Sequence, residues 1–194
     1  APEPQAAPQT TPRSAQTTPV GPSEDWHFDV HNQTGSKLYF WTHRDATRMR
    51  PLLEEERVRI YSGDRIPIIG IQLDSGYEPI TGLAIKRQQA CDILEMLPGG
   101  GGPAIPIVVH NEVDEKRKRS TLVLSSPLCV HNHTSHDLFL GFASTRHGFA
   151  RDSGGALVPG AGLHAPLASL LSGELTLGLS ENGGDAGSRS IPLA

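Results

Sequence analysis

The chain has 194 residues, enough for one large hydrophobic core or two small ones. Its 17 Lys and Arg residues against 21 Asp and Glu residues give a net charge of −4, so the composition predicts no nucleic-acid partner. The two cysteines, Cys91 and Cys129, lack metal-ligand spacing and favour a reducing compartment. No apolar run approaches the roughly 18 residues of a membrane span, and no signal-peptide pattern is present. These features predict a cytoplasmic protein.

Residues 1–25 are built mainly from Pro, Ala, Gln, Thr and Ser, with a single Val and no aromatic residue. So little apolar surface cannot offset the entropy that a chain loses when it becomes ordered. We therefore predict that this segment is a disordered Pro/Ala/Thr-rich linker.

One segment of the sequence occurs twice. Residues 30–40 read VHNQTGSKLYF and residues 130–140 read VHNHTSHDLFL. Both copies keep Val-His-Asn, a Thr two residues after the Asn, and a Leu followed by an aromatic residue. Apolar and polar residues alternate on both sides of the polar bend, a pattern typical of strand, tight turn and strand. We therefore predict two copies of one β-rich unit.

The two copies also look comparable further along the chain. VRIYSGDRIPI, which contains Pro67, resembles LVPGAGLHAPL, which contains Pro166, and GLAIKR near residue 85 parallels LTLGLS near residue 177. RMRPLLEEERV is the clearest competing segment, since it is typical of a helical turn or two.

Short apolar strands, separated by many of the 21 Gly and 16 Pro residues, favour an all-β fold. We predict two tandem antiparallel β-sandwich repeats after the linker. The first repeat is expected at residues 26–118, and the second, incomplete repeat is expected at residues 119–194.

The repeated asparagines, Asn32 and Asn132, have three possible chemistries. Both lie in the Asn-x-Thr sequence that accepts an N-linked glycan, which would suit an extracellular glycosylated adhesion module. A glycan needs a solvated Asn, however, whereas the alternation places each Asn on an apolar strand face. A buried Asn can instead bond its carboxamide to the backbone of the following turn, and Thr34 and Thr134 can add hydroxyl bonds. We predict this structural role for both pairs.

The third chemistry is metal binding by the histidines of HNHTSH. His131 and His133 would share a strand face, and His136 could return across the turn, as in a β-sandwich metalloenzyme. The first copy keeps only His31 of this ligand set, since Gln33 and Ser36 replace the others. We therefore predict no metal, no cofactor and no enzymatic activity, with the metalloenzyme as the alternative.

The run TLVLSSPLCVHNHTSHDLFLGF, followed by LVPGAGLHAPL and LTLGL, resembles one repeat of an adaptor-binding (VAB) region. This region belongs to the vacuolar protein sorting-associated protein thirteen family of chorein-type bridge-like lipid-transfer proteins. The matching residues are Ser126, Pro127, Leu128, Asn132, Pro159, Gly160, Pro166 and Leu167. The first copy matches more loosely, with Asn32, Gly63, Pro67 and Ile68, and lacks a Ser-Pro-Leu before its Asn.

The resemblance implies a string of all-β repeats that recognises Pro-x-Pro motifs in membrane-anchored adaptor proteins. Such a module would contact flanking repeats of a longer parent chain and would target a lipid-transfer protein to organelle membrane contact sites. Its own contact with the membrane would be indirect. The sequence does not assign the residues that would bind the peptide.

Overall fold

The computed structural model describes residues 26–62, 65–73, 76–144, 153–171, 173–178 and 189–192. The predicted linker, residues 1–25, lies outside the described residues. The described part of the chain contains fifteen β-strands and two single-turn 3-10 helices, so the prediction of an all-β fold is confirmed. Among these residues, no helix is long and apolar enough to cross a membrane.

The strands are β1 (His27–Gln33), β2 (Leu38–Thr42), β3 (Arg50–Leu52), β4 (Arg57–Ile60), β5 (Ile68–Leu73), β6 (Ile80–Ala84), β7 (Ala90–Met96), β8 (Ile105–Asp114), β9 (Arg119–Ser125), β10 (Cys129–His131), β11 (Leu138–Ser144), β12 (Ser153–Leu157), β13 (Gly162–His164), β14 (Gly173–Gly178) and β15 (Arg189–Pro192). The 3-10 helices span His43–Asp45 and Leu167–Ser169.

Two sheets enclose the larger core. The five-stranded sheet has the order β4-β1-β9-β8-β7, and the four-stranded sheet has the order β3-β2-β5-β6. Alternating residues of each strand point inward, as in a sandwich. The inward residues include Phe28 and Val30 of β1, Phe40 of β2, and Leu122 and Leu124 of β9, all almost fully buried.

The second part of the chain repeats the order of strand pairing. A four-stranded sheet has the order β12-β11-β14-β15, and β10 pairs with β13 in a separate two-stranded ribbon. The first part has the same arrangement, because β1 pairs with β4 while β2 lies between β3 and β5. A smaller core of buried residues accompanies these strands: Leu140, Phe142, Leu157, Ala165 and Leu175.

Two local predictions need correction. Arg119, the predicted start of the second repeat, begins β9, which lies between β1 and β8 in the first sandwich. The first sandwich therefore extends to Ser125 instead of ending at residue 118, because β9 pairs in parallel with β1 over seven residues. A long-range parallel pairing of this kind leaves no local sequence pattern. The segment RMRPLLEEERV forms β3, a turn and β4 instead of a helix.

The two parts of the chain are in direct contact at the end of β1. Ser126 N–H donates to the Gln33 carbonyl at 3.1 Å, and Leu167 N–H donates to Ser36 Oγ at 2.9 Å. Gly35 has a φ of +62°, and a Cβ placed on it would lie 2.5 Å from the His164 carbonyl oxygen. The tight turn after β1 therefore packs directly against the segment that follows β13.

Candidate functional site: the asparagine-centred turns

Asn32 connects three segments of the first sandwich. Its side chain is completely buried. Asn32 Nδ2 donates to the carbonyl of Ser36 at 2.8 Å and to the carbonyls of Leu52 and Leu53, each at 3.0 Å. Its Oδ1 accepts from Thr34 N–H at 3.1 Å and from Thr34 Oγ1 at 2.7 Å. The carboxamide therefore fixes the β1–β2 turn to the end of β3.

Asn132 makes nearly the same set of contacts in the second part of the chain. It is also completely buried. Its Nδ2 donates to the carbonyls of His136 at 2.8 Å and Leu157 at 2.6 Å. Its Oδ1 accepts from Thr134 N–H at 2.9 Å and from Thr134 Oγ1 at 2.7 Å. The carboxamide and hydroxyl therefore hold equivalent turns in the two copies.

A backbone turn faces each asparagine. Asn32 carbonyl accepts from Glu55 N–H at 2.8 Å, and Asn132 carbonyl accepts from Gly160 N–H at 2.8 Å. Both donors have left-handed backbone conformations, with φ values of +56° for Glu55 and +80° for Gly160. Glycine adopts this conformation without strain, whereas a residue with a Cβ does so at a cost. Glu55 is therefore the structural counterpart of Gly160.

Because Glu55 corresponds to Gly160, the predicted alignment of the two copies beyond the asparagines is wrong. The sequence comparison matched the Pro67 segment with the Pro166 segment and GLAIKR with LTLGLS. In the structure, β14 occupies the position in its sheet that β5 occupies in the first sheet, whereas GLAIKR begins in β6. Gly63, which the resemblance matched to Gly160, lies outside the described residues.

The burial of both asparagines contradicts the glycan interpretation. A glycan replaces a hydrogen on Nδ2 and extends into solvent, but each Nδ2 is enclosed and donates to at least two carbonyls. A glycan could be accommodated only by breaking the turn. The adhesion-module alternative therefore loses the sequence feature on which it depended.

The histidines of HNHTSH lie on the surface beside the second turn. The rings of His131 and His133 stack with their centroids 6.0 Å apart. His136 is exposed, and its contribution to the turn comes from its backbone, whose N–H donates to Thr134 Oγ1 at 3.2 Å. Within the ranges that the structure describes, no group of three or more His, Cys, Asp or Glu residues is arranged to hold a metal ion.

Titratable side chains gather where the two parts of the chain meet. Burial lowers the pKa of His31, and the Arg57 guanidinium lowers it further, although the carboxylate of Glu55 lies 3.7 Å away and opposes both effects. Burial also lowers the pKa of His164, again against the effect of Glu55. Burial raises the pKa of the Cys129 thiol, so this cysteine lacks the thiolate character of a nucleophile.

Several strands present a free edge, which the sequence pattern alone did not locate. Within the described residues, β7 pairs only with β8, and β4 pairs only with β1. The β7 edge is seven residues long, and its Ile93 side chain is 69% exposed. Backbone groups on such an edge can pair with an added extended chain.

Comparisons with known proteins leave the family unassigned, because no protein-family model and no curated protein matches this sequence significantly. The likeness to adaptor-binding repeats therefore depends on the motifs quoted above and on the repeated asparagine turn.

Proposed function

We propose that this chain is a non-enzymatic protein-interaction module made of two tandem β-sandwich repeats. It binds or positions Pro-x-Pro peptides of membrane-anchored adaptor proteins and so targets a lipid-transfer protein to membrane contact sites in the cytoplasm. The observation that carries the proposal is the second occurrence of the buried asparagine turn, formed by Asn32 with Thr34 and by Asn132 with Thr134. A near-invariant Asn at this position is one of the features shared by the repeats that the sequence resembles.

The free edge of β7 is the peptide site that the geometry favours. An extended ligand would form backbone hydrogen bonds along the edge, and alternate side chains would point to the same face. Two prolines separated by one residue would thus lie on one side, where the exposed Ile93 offers an apolar contact. Proline also limits the entropy that the ligand loses, because the free peptide is already extended.

A fluorescence-anisotropy titration tests this function. The full chain should bind a labelled Pro-x-Pro peptide with micromolar affinity, equivalent to about −8 kcal/mol, and should bind the matched Ala-x-Ala peptide much more weakly. Ile93→Lys should weaken binding, whereas Val158→Lys, a similar change at another exposed apolar residue, should not. Equal binding of the two peptides would reject Pro-x-Pro recognition by this chain.

A further inference from the structure

Four chain connections meet at one end of the first sandwich. Strand β2 ends at Thr42 opposite the start of β5, and β4 ends at Ile60 opposite the start of β1. The β8–β9 hairpin lies at the same end, since His27 N–H donates to the Lys118 carbonyl at 2.8 Å. We name this end, with residues 43–49, 61–62, 65–67, 85–89 and 115–118 and the adjoining strand ends, the basic end.

Positive charge is concentrated at the basic end. Eleven of the 17 Lys and Arg residues lie there: Arg44, Arg48, Arg50, Arg59, Arg65, Lys86, Arg87, Lys116, Arg117, Lys118 and Arg119. The described carboxylates at this end are five: Asp29, Asp45, Glu112, Asp114 and Glu115. Among the described residues at this end, eleven cations and five carboxylates leave a surplus of six positive charges, although the whole chain carries −4. Positive and negative charges are therefore distributed far more unevenly over the molecule than the net charge indicates.

Part of this charge has no ionic partner within the described ranges. The acid Asp29 is buried between Arg59 and Arg119, with Arg119 Nε 3.1 Å from its Oδ2, so one carboxylate partly neutralises both guanidinium groups. By contrast, Arg44 and Arg65 are exposed, and neither forms an ion pair with another described residue. Their guanidinium groups are available to an anionic ligand.

Exposed apolar side chains stand among these arginines. Of nine large hydrophobic residues that are exposed in the described part of the chain, four lie at the basic end: Met49, Tyr61, Ile66 and Ile68. Tyr61 is the most exposed of the nine, at 87%. These side chains come from two separate connections, which meet around a shallow cavity of about 210 Å³ lined by Arg44, Tyr61, Arg65 and Ile66. The surface thus combines protruding apolar groups with two arginines that form no ion pair with another residue the structure describes.

We propose that the basic end binds directly to the surface of a membrane that contains anionic lipids. Arginine side chains would contact the headgroups, while Tyr61 and the neighbouring aliphatic side chains would enter the boundary between headgroups and acyl chains. A lipid surface accepts protruding apolar side chains without a matching pocket, whereas an acidic protein would need complementary cavities. Nucleic acid would use aromatic stacking but would give Ile66 and Ile68 no contact of comparable value.

This inference goes beyond the proposed function, in which an adaptor supplies the contact with the membrane. The two sites are separate, because Ile93 of β7 is not part of the basic end. A change at one site should therefore leave the other unaffected.

Vesicle co-sedimentation with the full chain tests the inference. The chain should bind phosphatidylcholine vesicles only when they also contain phosphatidylserine, and added salt should weaken binding. Arg44→Gln with Arg65→Gln should lower the partition coefficient roughly 10- to 30-fold, because each Arg near an anionic surface contributes about a fivefold effect. Lys37→Gln with Arg57→Gln removes the same charge at the opposite end and should have a much smaller effect.

A second pair of variants separates apolar insertion from charge. Tyr61→Ser should weaken binding to the same vesicles, and Ile93→Ser, which removes another exposed apolar side chain, should not. All substituted residues are exposed, so unchanged thermal unfolding of each variant is the expected control.

Three results would overturn the membrane proposal. The first is equal binding to neutral and anionic vesicles, or no binding to either. The second is equal loss of binding in the two charge-matched double variants. The third is tight binding of an acidic peptide or of RNA that depends on Arg44 and Arg65 while vesicles are not bound, which would reassign the surface to that ligand.

Discussion

Replacing each buried asparagine by alanine should destabilise the protein, and the two effects should differ. In Asn32→Ala, the carbonyls of Leu52 and Leu53 lose a donor, and Thr34 N–H loses its acceptor. Asn132→Ala removes one fewer donated bond, because its Nδ2 reaches only the carbonyls of His136 and Leu157. Asn32→Ala should therefore lower the free energy of unfolding more than Asn132→Ala does.

The magnitude follows from the cost of leaving buried polar groups unpaired. Each unsatisfied buried group costs about 1 to 3 kcal/mol, but solvent can reach part of the turn and the remaining bonds can adjust. Thr34 Oγ1, for example, lies 3.0 Å from the Ser36 carbonyl, and without Asn32 Oδ1 its hydroxyl hydrogen is free to donate to that carbonyl. We expect a loss of about 1 to 3 kcal/mol in the free energy of unfolding for each variant, with Asn32→Ala toward the upper value.

Urea unfolding followed by tryptophan fluorescence measures this loss. With a slope of about 2 kcal/mol per molar urea, a loss of 2 kcal/mol moves the midpoint by about 1 M. Gln33→Ala and His133→Ala alter the outward neighbours and should change stability by less than about 0.5 kcal/mol.

Asn32→Asp extends the test, because it keeps Oδ1 but places a carboxylate oxygen against three carbonyl oxygens. It should destabilise more than Asn32→Ala at neutral pH and recover in part when acid protonates it. Wild-type midpoints for both alanine variants would refute the structural role of the asparagines.

Three further predictions concern the turns and their surroundings. Glu55→Gly should stabilise the protein by about 0.5 to 1 kcal/mol by relieving its positive φ, and Gly160→Ala should destabilise it by about 1 kcal/mol, both measured by urea unfolding. Destabilisation by Glu55→Gly, or stabilisation by Gly160→Ala, would argue against the equivalence of these positions. Gly35→Ala should lower the thermal midpoint by several degrees, because its Cβ would lie 2.5 Å from the His164 carbonyl oxygen; an unchanged midpoint would mean that the two parts of the chain separate easily. The pKa values of His31 and His164 are lowered from 6.5, so the unfolded chain binds more protons just below that pH. The free energy of unfolding should therefore fall as pH decreases below about 6.5, and His31→Gln with His164→Gln should reduce that slope.

The sequence contained enough information to predict the asparagine turns but not their partners. Period-two alternation placed Asn32 and Asn132 on apolar strand faces, and the polar residues after each Asn indicated a tight turn. The counterpart of Gly160 was missed because it is Glu55, and glutamate shows no preference for the left-handed backbone that it adopts here. Only the pairing of β1 with β4 brings Glu55 to Asn32, and a long-range pairing of this kind is not visible in local patterns.

Local sequence patterns do not reveal the basic end for the same reason. KRKR at residues 116–119 follows Glu112, Asp114 and Glu115, so this segment alone indicates only a solvated hairpin tip. The other basic residues of this end, such as Arg44 and Arg87, lie in connections that are distant in sequence. These connections meet only because antiparallel strands return the chain to the same end of the sandwich. Net charge, calculated over the chain, conceals such a concentration.

The two ends of the first sandwich are therefore suited to different tasks. The turn fixed by Asn32 lies at the end that contacts the second part of the chain, where Ser36 Oγ accepts from Leu167 N–H and Gly35 packs against His164. A rigid turn is useful there, since contact between the two parts of the chain needs a fixed surface. The basic end lies at the opposite ends of the same strands, away from this joint, and Arg44, Arg65 and Tyr61 are exposed there. Contact with a membrane at that end would thus leave both the contact between the two parts of the chain and the free edge of β7 unobstructed.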